Sequence, residues 1–188
     1  NAHGSIEYLA LSLKADANFE KSLALLDEVG KAIASEHQAK VRDLERNGKF
    51  DEAVAQCDRV VATQALIRTI GGVKIDIYHD PDERTRFAQK AAEKFYVDGN
   101  SLEPANAKKA AVAFRRSFAF VPGFKDAQAR YQKNKKEATT RLAIPRFEGR
   151  GQNGSAVAQN IGEKFRNSLV EKKPEFLEIV GGGRENDA

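Results

Sequence analysis

The chain has 188 residues, enough for one domain or two small ones with a real core. Hydrophobic residues make up 41% and charged residues 31%, with only 5 Pro, which excludes a low-complexity polymer and points to a mainly helical globular protein. The formal charge of +4 is mild, and the densest basic cluster, KNKKEATTR (133–141), has only Tyr131 nearby to stack on a base, so a nucleic-acid groove is not expected.

Cys57 is the only cysteine, which excludes an intramolecular disulfide and a cysteine metal cluster. No stretch approaches the ~18 apolar residues of a membrane span, and no signal peptide is visible. The chain opens at Asn1 and contains no Met. It is therefore read as a processed or trimmed piece, compatible with an earlier targeting segment.

In chain order, residues 16 to 70 read as three helices. The first carries Phe19, Leu23, Leu26, Gly30 and Ile33 at spacings of three and four, behind Asp16 or Asn18 as cap. The second runs from about Ser35 to Arg46 and stops at Asn47-Gly48. The third starts at Asp51, presents Ala53, Val54, Cys57, Val60, Gln64 and Ile67, and ends at Gly71-Gly72.

In GGVKIDIYHDPDE (71–83), Val73, Ile75 and Ile77 alternate with Lys74, Asp76 and Tyr78, the pattern of a strand or extended segment. His79, Asp80 and Asp82 admit a metal reading. The favoured reading is a helix opening, with Asp80 as cap and Pro81 at the first helical position. His3 and His37 have no partner at a meaningful spacing, so Cys57 reads as a small buried hydrophobe, not a nucleophile.

A second helical set follows. One helix covers 82 to about 98, with Phe87, Ala91, Phe95 and Tyr96 along one side, and is expected to end at Asp98-Gly99. Another covers Pro104 to Phe120 with Ala110, Ala111, Phe114 and Ser117, broken by Val121-Pro122-Gly123. A third covers Lys125 to Ala138. After it come a short strand (TRLAIPRF), a glycine loop, and a helix with Val157, Ile161, Phe165 and Leu169 four apart behind Ser155 as cap. The strand FLEIV closes a β-α-β order.

NGKFDEAVAQCDRVV (47–61) resembles the middle of a tetratricopeptide repeat, with Gly48 in the turn, Phe50, small Ala53 where the helices approach, and Cys57 and Val60 in the seam. Ala110, Phe114, Ser117 and Pro122 resemble its second helix and terminal proline. The two small-residue positions, Ala53 and Ala110, are 57 residues apart and not the ~34 of a tandem array. The resemblance therefore implies irregular helical hairpins and no regular solenoid.

Gly149, Gly151 and Gly154 spell G-x-G-x-x-G, the fingerprint of a dinucleotide loop. Pro145 and Arg146 interrupt the strand before it, the second strand ends in Val180-Gly181 with no acid at its tip, and too little chain remains for a Rossmann sheet. Residues 140 to 180 instead resemble the start of the CsgG-like and TolB amino-terminal domains of bacterial envelope proteins. Leu142, Ala143, Ile144, Pro145, Phe147 and Glu148 match the first strand, Val157, Ile161, Phe165 and Leu169 the helix, and Phe176, Ile179 and Val180 the second strand. Arg146 departs from that pattern by separating Pro145 from Phe147, and the rest of the domain is missing, so no pore-forming role carries over. The phrase VPGFKDA (121–127) between hairpins and such a unit is similar to an arrangement in envelope lipoproteins.

The expectation is a mainly α chain: irregular tetratricopeptide-like helical hairpins over 1–139, then a small β-α-β unit over 140–188. Residues 73–78, a second copy of the chain or a missing segment would complete its sheet. The resemblances imply a non-enzymatic protein-interaction module of a bacterial envelope lipoprotein, an assembly or secretion accessory, periplasmic or outer-membrane-associated. Membrane contact would come only through a lipid anchor outside this chain. No catalytic residue, cofactor or metal ligand is expected. The alternative is a nucleotide-binding enzyme using the Gly149–Gly154 loop. Partners are expected to be envelope proteins or peptides, self-association included, and not nucleic acid. In a concave face lined by the helices at 35–46 and 82–98, Arg42, Arg86, Lys90 and Lys94 are the expected contacts for an acidic or extended segment.

Overall fold

A computed structural model describes residues 2–15, 20–69, 76–77, 79–144, 148–151, 153–172 and 174–180. The element order is α1 (Ala2–Ala15), α2 (Glu20–Arg46), α3 (Phe50–Arg68), α4 (Glu83–Leu102), α5 (Ala107–Phe120), α6 (Ala127–Ala138), β1 (Thr140–Ala143), α7 (Gly154–Lys172) and β2 (Leu177–Val180). The chain is mainly helical, with a β-α-β unit after α6, as its composition and periodicity indicate. No helix among the described residues is long and apolar enough to cross a membrane.

Contacts divide the chain into two compact units, Asn1–Phe95 with Ser117–Pro122, and Tyr96–Arg116 with Gly123–Ala188. Within the second unit the approach to β2 is tied back to the helices: Glu175 accepts from Arg115 at 2.6 Å and from the Tyr131 hydroxyl at 3.0 Å.

In the first unit, α2 is one continuous helix where two were expected. Its buried stripe, Ser22, Leu26, Gly30, Ile33, His37, Val41 and Leu44, keeps helical spacing straight through Ser35. No proline intervenes to break it. α1 lies in the segment left without an element by the sequence reading. Its Ile6, Leu9, Ala10 and Leu13 join Leu26, Ile33, Val60, Ile67 and Ile77 in one apolar cluster. A second cluster gathers Val41, Leu44, Ala53, Val54, Cys57, Phe87 and Ala88, flanked by Phe50, Phe120 and Val121. Gly48, at φ 64°, turns α2 into α3, and Lys49 N–H reaches back to the Leu44 carbonyl at 2.9 Å.

Of the strand or extended segment expected at 73–78, only Asp76 and Ile77 lie among the described residues. Asp76 and Ile77 are not in a strand, because the side chain of Gln64 takes their polar groups. Its oxygen accepts from Ile77 N–H at 2.6 Å and its amide donates to Asp76 at 3.2 Å, which lets Ile77 bury. Val73, Ile75 and Tyr78 lie outside the described residues. The expected opening of α4 shifts as well: the helix starts at Glu83, and Asp80 accepts from Asp82 N–H at 2.9 Å in the turn before it.

In the second unit, α4 runs past Gly99 to Leu102. β1 and β2 pair in parallel in the register Thr140↔Leu177 to Ala143↔Val180, a two-stranded sheet among the described residues. α7 begins at Gly154, and Val157 N–H bonds the Asn153 carbonyl, so Asn153 and not Ser155 holds the cap position. Pro145, Arg146 and Phe147 lie outside the described residues.

Candidate functional site

The buried stripe of α2 carries one polar ring, His37, 1% exposed. Cys57 stands on the facing side of α3, and Glu83 is the first residue of α4. The three converge in the first unit. Glu83 Oε2 lies 2.9 Å from His37 Nε2 and 3.9 Å from Cys57 Sγ, and one ligand atom from each residue fits within a 4.8 Å span. The other Glu83 oxygen faces Arg86 at 3.5 Å. His37 Nδ1 is buried without a hydrogen-bond partner among the described residues.

Burial, with the Glu83 carboxylate beside it, pushes the Cys57 thiol up to about 12. At neutral pH the sulfur is therefore a protonated thiol and not an activated nucleophile. This agrees with the reading of Cys57 as a small buried group. Sequence reasoning missed the cluster itself because its members sit on three helices, with Glu83 26 residues from Cys57 and 46 from His37. The one available signal was a histidine on a helical stripe whose other members are apolar or small.

The four cations expected to meet a partner are placed unequally. Arg42 is exposed with no ion-pair partner among the described residues. Arg86 lies 3.3 Å from Asp80 and packs over the Phe87 ring. Lys90 bonds Glu45 at 2.5 Å and sits over the rings of Phe50 and Phe87. Lys94 donates to the Gly48 carbonyl at 2.8 Å. Three of the four are thus held by their own unit. The Lys90 ammonium, by its hydrogen bond, holds the Glu45 carboxyl below its usual range.

A different, apolar surface is partly exposed in the second unit. α7 buries only Ala158, while Val157, Ile161 and Phe165, one stripe of the helix, are each about half exposed at 55%, 51% and 49%. An open groove of about 510 Å³ continues beside it, lined by Leu169, Val170, Leu177, Ile179, Lys135 and Glu178.

The glycine loop is closed on itself. A Cβ on Gly149 would overlap the Gly154 carbonyl oxygen, and one on Gly154 would fall 2.6 Å from the Gly149 carbonyl carbon. Gly151 adopts φ 90°, and Gly154 N–H is taken by the Gly151 carbonyl at 3.1 Å. Each glycine has a reason in the turn alone. Gly149 also lies six residues beyond the end of β1, where a pyrophosphate loop needs its glycines against the strand end.

No protein-family model, curated protein or solved structure gives a significant match to the chain.

Proposed function

We propose that the chain is a non-enzymatic protein-interaction module of a bacterial envelope lipoprotein, acting as an assembly or secretion accessory. The observation that carries the interaction reading is the half-exposed apolar pair Val157 and Ile161 on α7, beside a sheet that has two strands among the described residues. Apolar surface of this kind costs free energy in water, roughly 25 cal/mol per Å², until something covers it. The parallel β-α-β order supports the envelope part of the reading, being the order in which the CsgG-like and TolB domains begin. The protonated thiol of Cys57 and the self-closed glycine loop weigh against an enzyme built on either. The basic face of α2 and α4 is the lesser candidate surface, with Arg42 on α2 an exposed candidate.

A photo-cross-linking residue at Ile161, in the full chain secreted to a bacterial periplasm, tests this, with the same residue at exposed Lys109 as control. A discrete adduct with an identified envelope protein at 161 and not at 109 is expected. No adduct above the control overturns the docking surface. Micromolar binding of NAD or ATP in calorimetry, abolished by Gly151→Val, would establish the nucleotide-binding alternative in its place.

A further inference from the structure

We propose that His37, Cys57 and Glu83 form a binding site for a divalent cation of the zinc class, which ties α2, α3 and α4 together. An imidazole nitrogen, a sulfur and a carboxylate oxygen are the three donor types that zinc takes, at about 2.0–2.3 Å each. Tetrahedral bonds of that length set their donor atoms about 3.3–3.8 Å apart. The Sγ–Oε2 separation of 3.9 Å lies just above that range and the Nε2–Oε2 separation of 2.9 Å just below it, so each needs to change by only a few tenths of an ångström.

The alternative use of these residues is a hydrogen-bonded staple between helices. It leaves the sulfur unexplained, since a staple needs none, while a cation site uses it as a ligand. The ion would bind through Nε2, and His37 Nδ1 is buried without a hydrogen-bond partner among the described residues in either case. The three donors sit on helices packed in one core cluster, and so are held without the entropy of ordering a loop. Glu83 keeps 16% of its side chain exposed, which gives an entry path and room for a water as fourth ligand. Cys57 loses its proton on binding, and the charge of thiolate and carboxylate then matches that of the ion.

The test uses the full chain stripped with a chelator and titrated with Co²⁺ and then Zn²⁺. One equivalent of Co²⁺ should bind and develop thiolate-to-metal charge-transfer absorption, which Zn²⁺ should displace while raising the temperature of unfolding by several degrees. Cys57→Ala, checked for unchanged helix content, should lose the absorption and more than about a hundredfold in affinity. Glu83→Gln keeps a hydrogen-bond acceptor for His37 and should lose about ten- to a hundredfold, a readout independent of how well the cysteine variant folds. The proposal is overturned if Co²⁺ binds without charge-transfer absorption, if binding survives Cys57→Ala, or if Zn²⁺ leaves the unfolding temperature unmoved.

Discussion

Gly99 lies in van der Waals contact beneath the ring of Phe114: a Cβ added to it would fall 2.6 Å from the ring's Cε1. Phe114 is fully buried, and Tyr96 meets it edge-on at 5.8 Å between centroids. Glycine inside a helix normally costs about 0.5–1 kcal/mol relative to alanine. Here a methyl has no space unless the ring moves, and overpacking costs about 1–3 kcal/mol. The second effect wins. Gly99→Ala should lower stability by about 1–2 kcal/mol in denaturant unfolding. A stabilised variant would show that the ring yields freely.

Gln64 is the second position where one side chain decides a local fold. Gln64→Leu preserves apolar volume but leaves the Ile77 N–H buried without its acceptor. The expected loss is about 1–3 kcal/mol. Fast amide exchange at Ile77 should accompany it, and a protected amide at Ile77 in the variant would refute the assignment.

For Lys90, two substitutions should separate packing from charge. Lys90→Met keeps an unbranched stem against Phe50 and Phe87, and loses an ion pair that is about two-fifths exposed at each end; such pairs are worth about 0–1 kcal/mol. Lys90→Glu instead sets a carboxylate against Glu45. Thermal melts should show the methionine variant close to the parent and the glutamate variant clearly below it. Equal melting temperatures would place the Lys90 head group in solvent, free to meet a partner.

Acid should reveal Glu103. Its carboxylate accepts from Asn134 and Lys133 on one oxygen, at 3.0 and 3.1 Å, and from Arg130 on the other at 2.7 Å. These hydrogen bonds, that of Asn134 first, hold its folded pKa below the usual 4.5. A lowered folded pKa contributes stability that is present above the unfolded value and lost as pH falls through the folded one. The difference in stability between the parent and Glu103→Gln should therefore be constant from pH 6 to 8, at about 1 kcal/mol or more. Below pH 4.5 it should close. A gap that persists at pH 3 would assign the effect to packing.

The helices were legible where their apolar residues keep a strict interval. α3, α5, α6 and the β-α-β order follow from Val60 and Ile67, from Ala110 and Phe114, and from Val157 through Leu169. Glycine misled in both directions. Gly48 does turn the chain, while Gly99 is a space left for Phe114, a role visible only when the two helices are side by side. α1 was hidden because IEYLALSL (6–13) is apolar nearly all round, so no single face stands out. The His37–Cys57–Glu83 cluster was illegible because contact across three helices leaves no regular interval in sequence. The Lys90 and Lys94 contacts were missed for a related reason: a lysine on a predicted outer face looks free until the neighbouring turn is placed under it.

The parallel pairing of β1 with β2 also sets a sequence of events in time. Arg141 and Glu178, neighbours across the sheet, are 37 residues apart along the chain. At synthesis rates of ~5–20 residues per second, β2 emerges about 2 to 7 seconds after β1. Helical hairpins built from local contacts form in well under a second. During that interval the nascent chain carries finished helices and a β1 whose backbone has no strand beside it. The sheet is the last part of the molecule to be assembled, and a chain released before Phe176 would keep an unpaired strand end open to whatever pairs with it first.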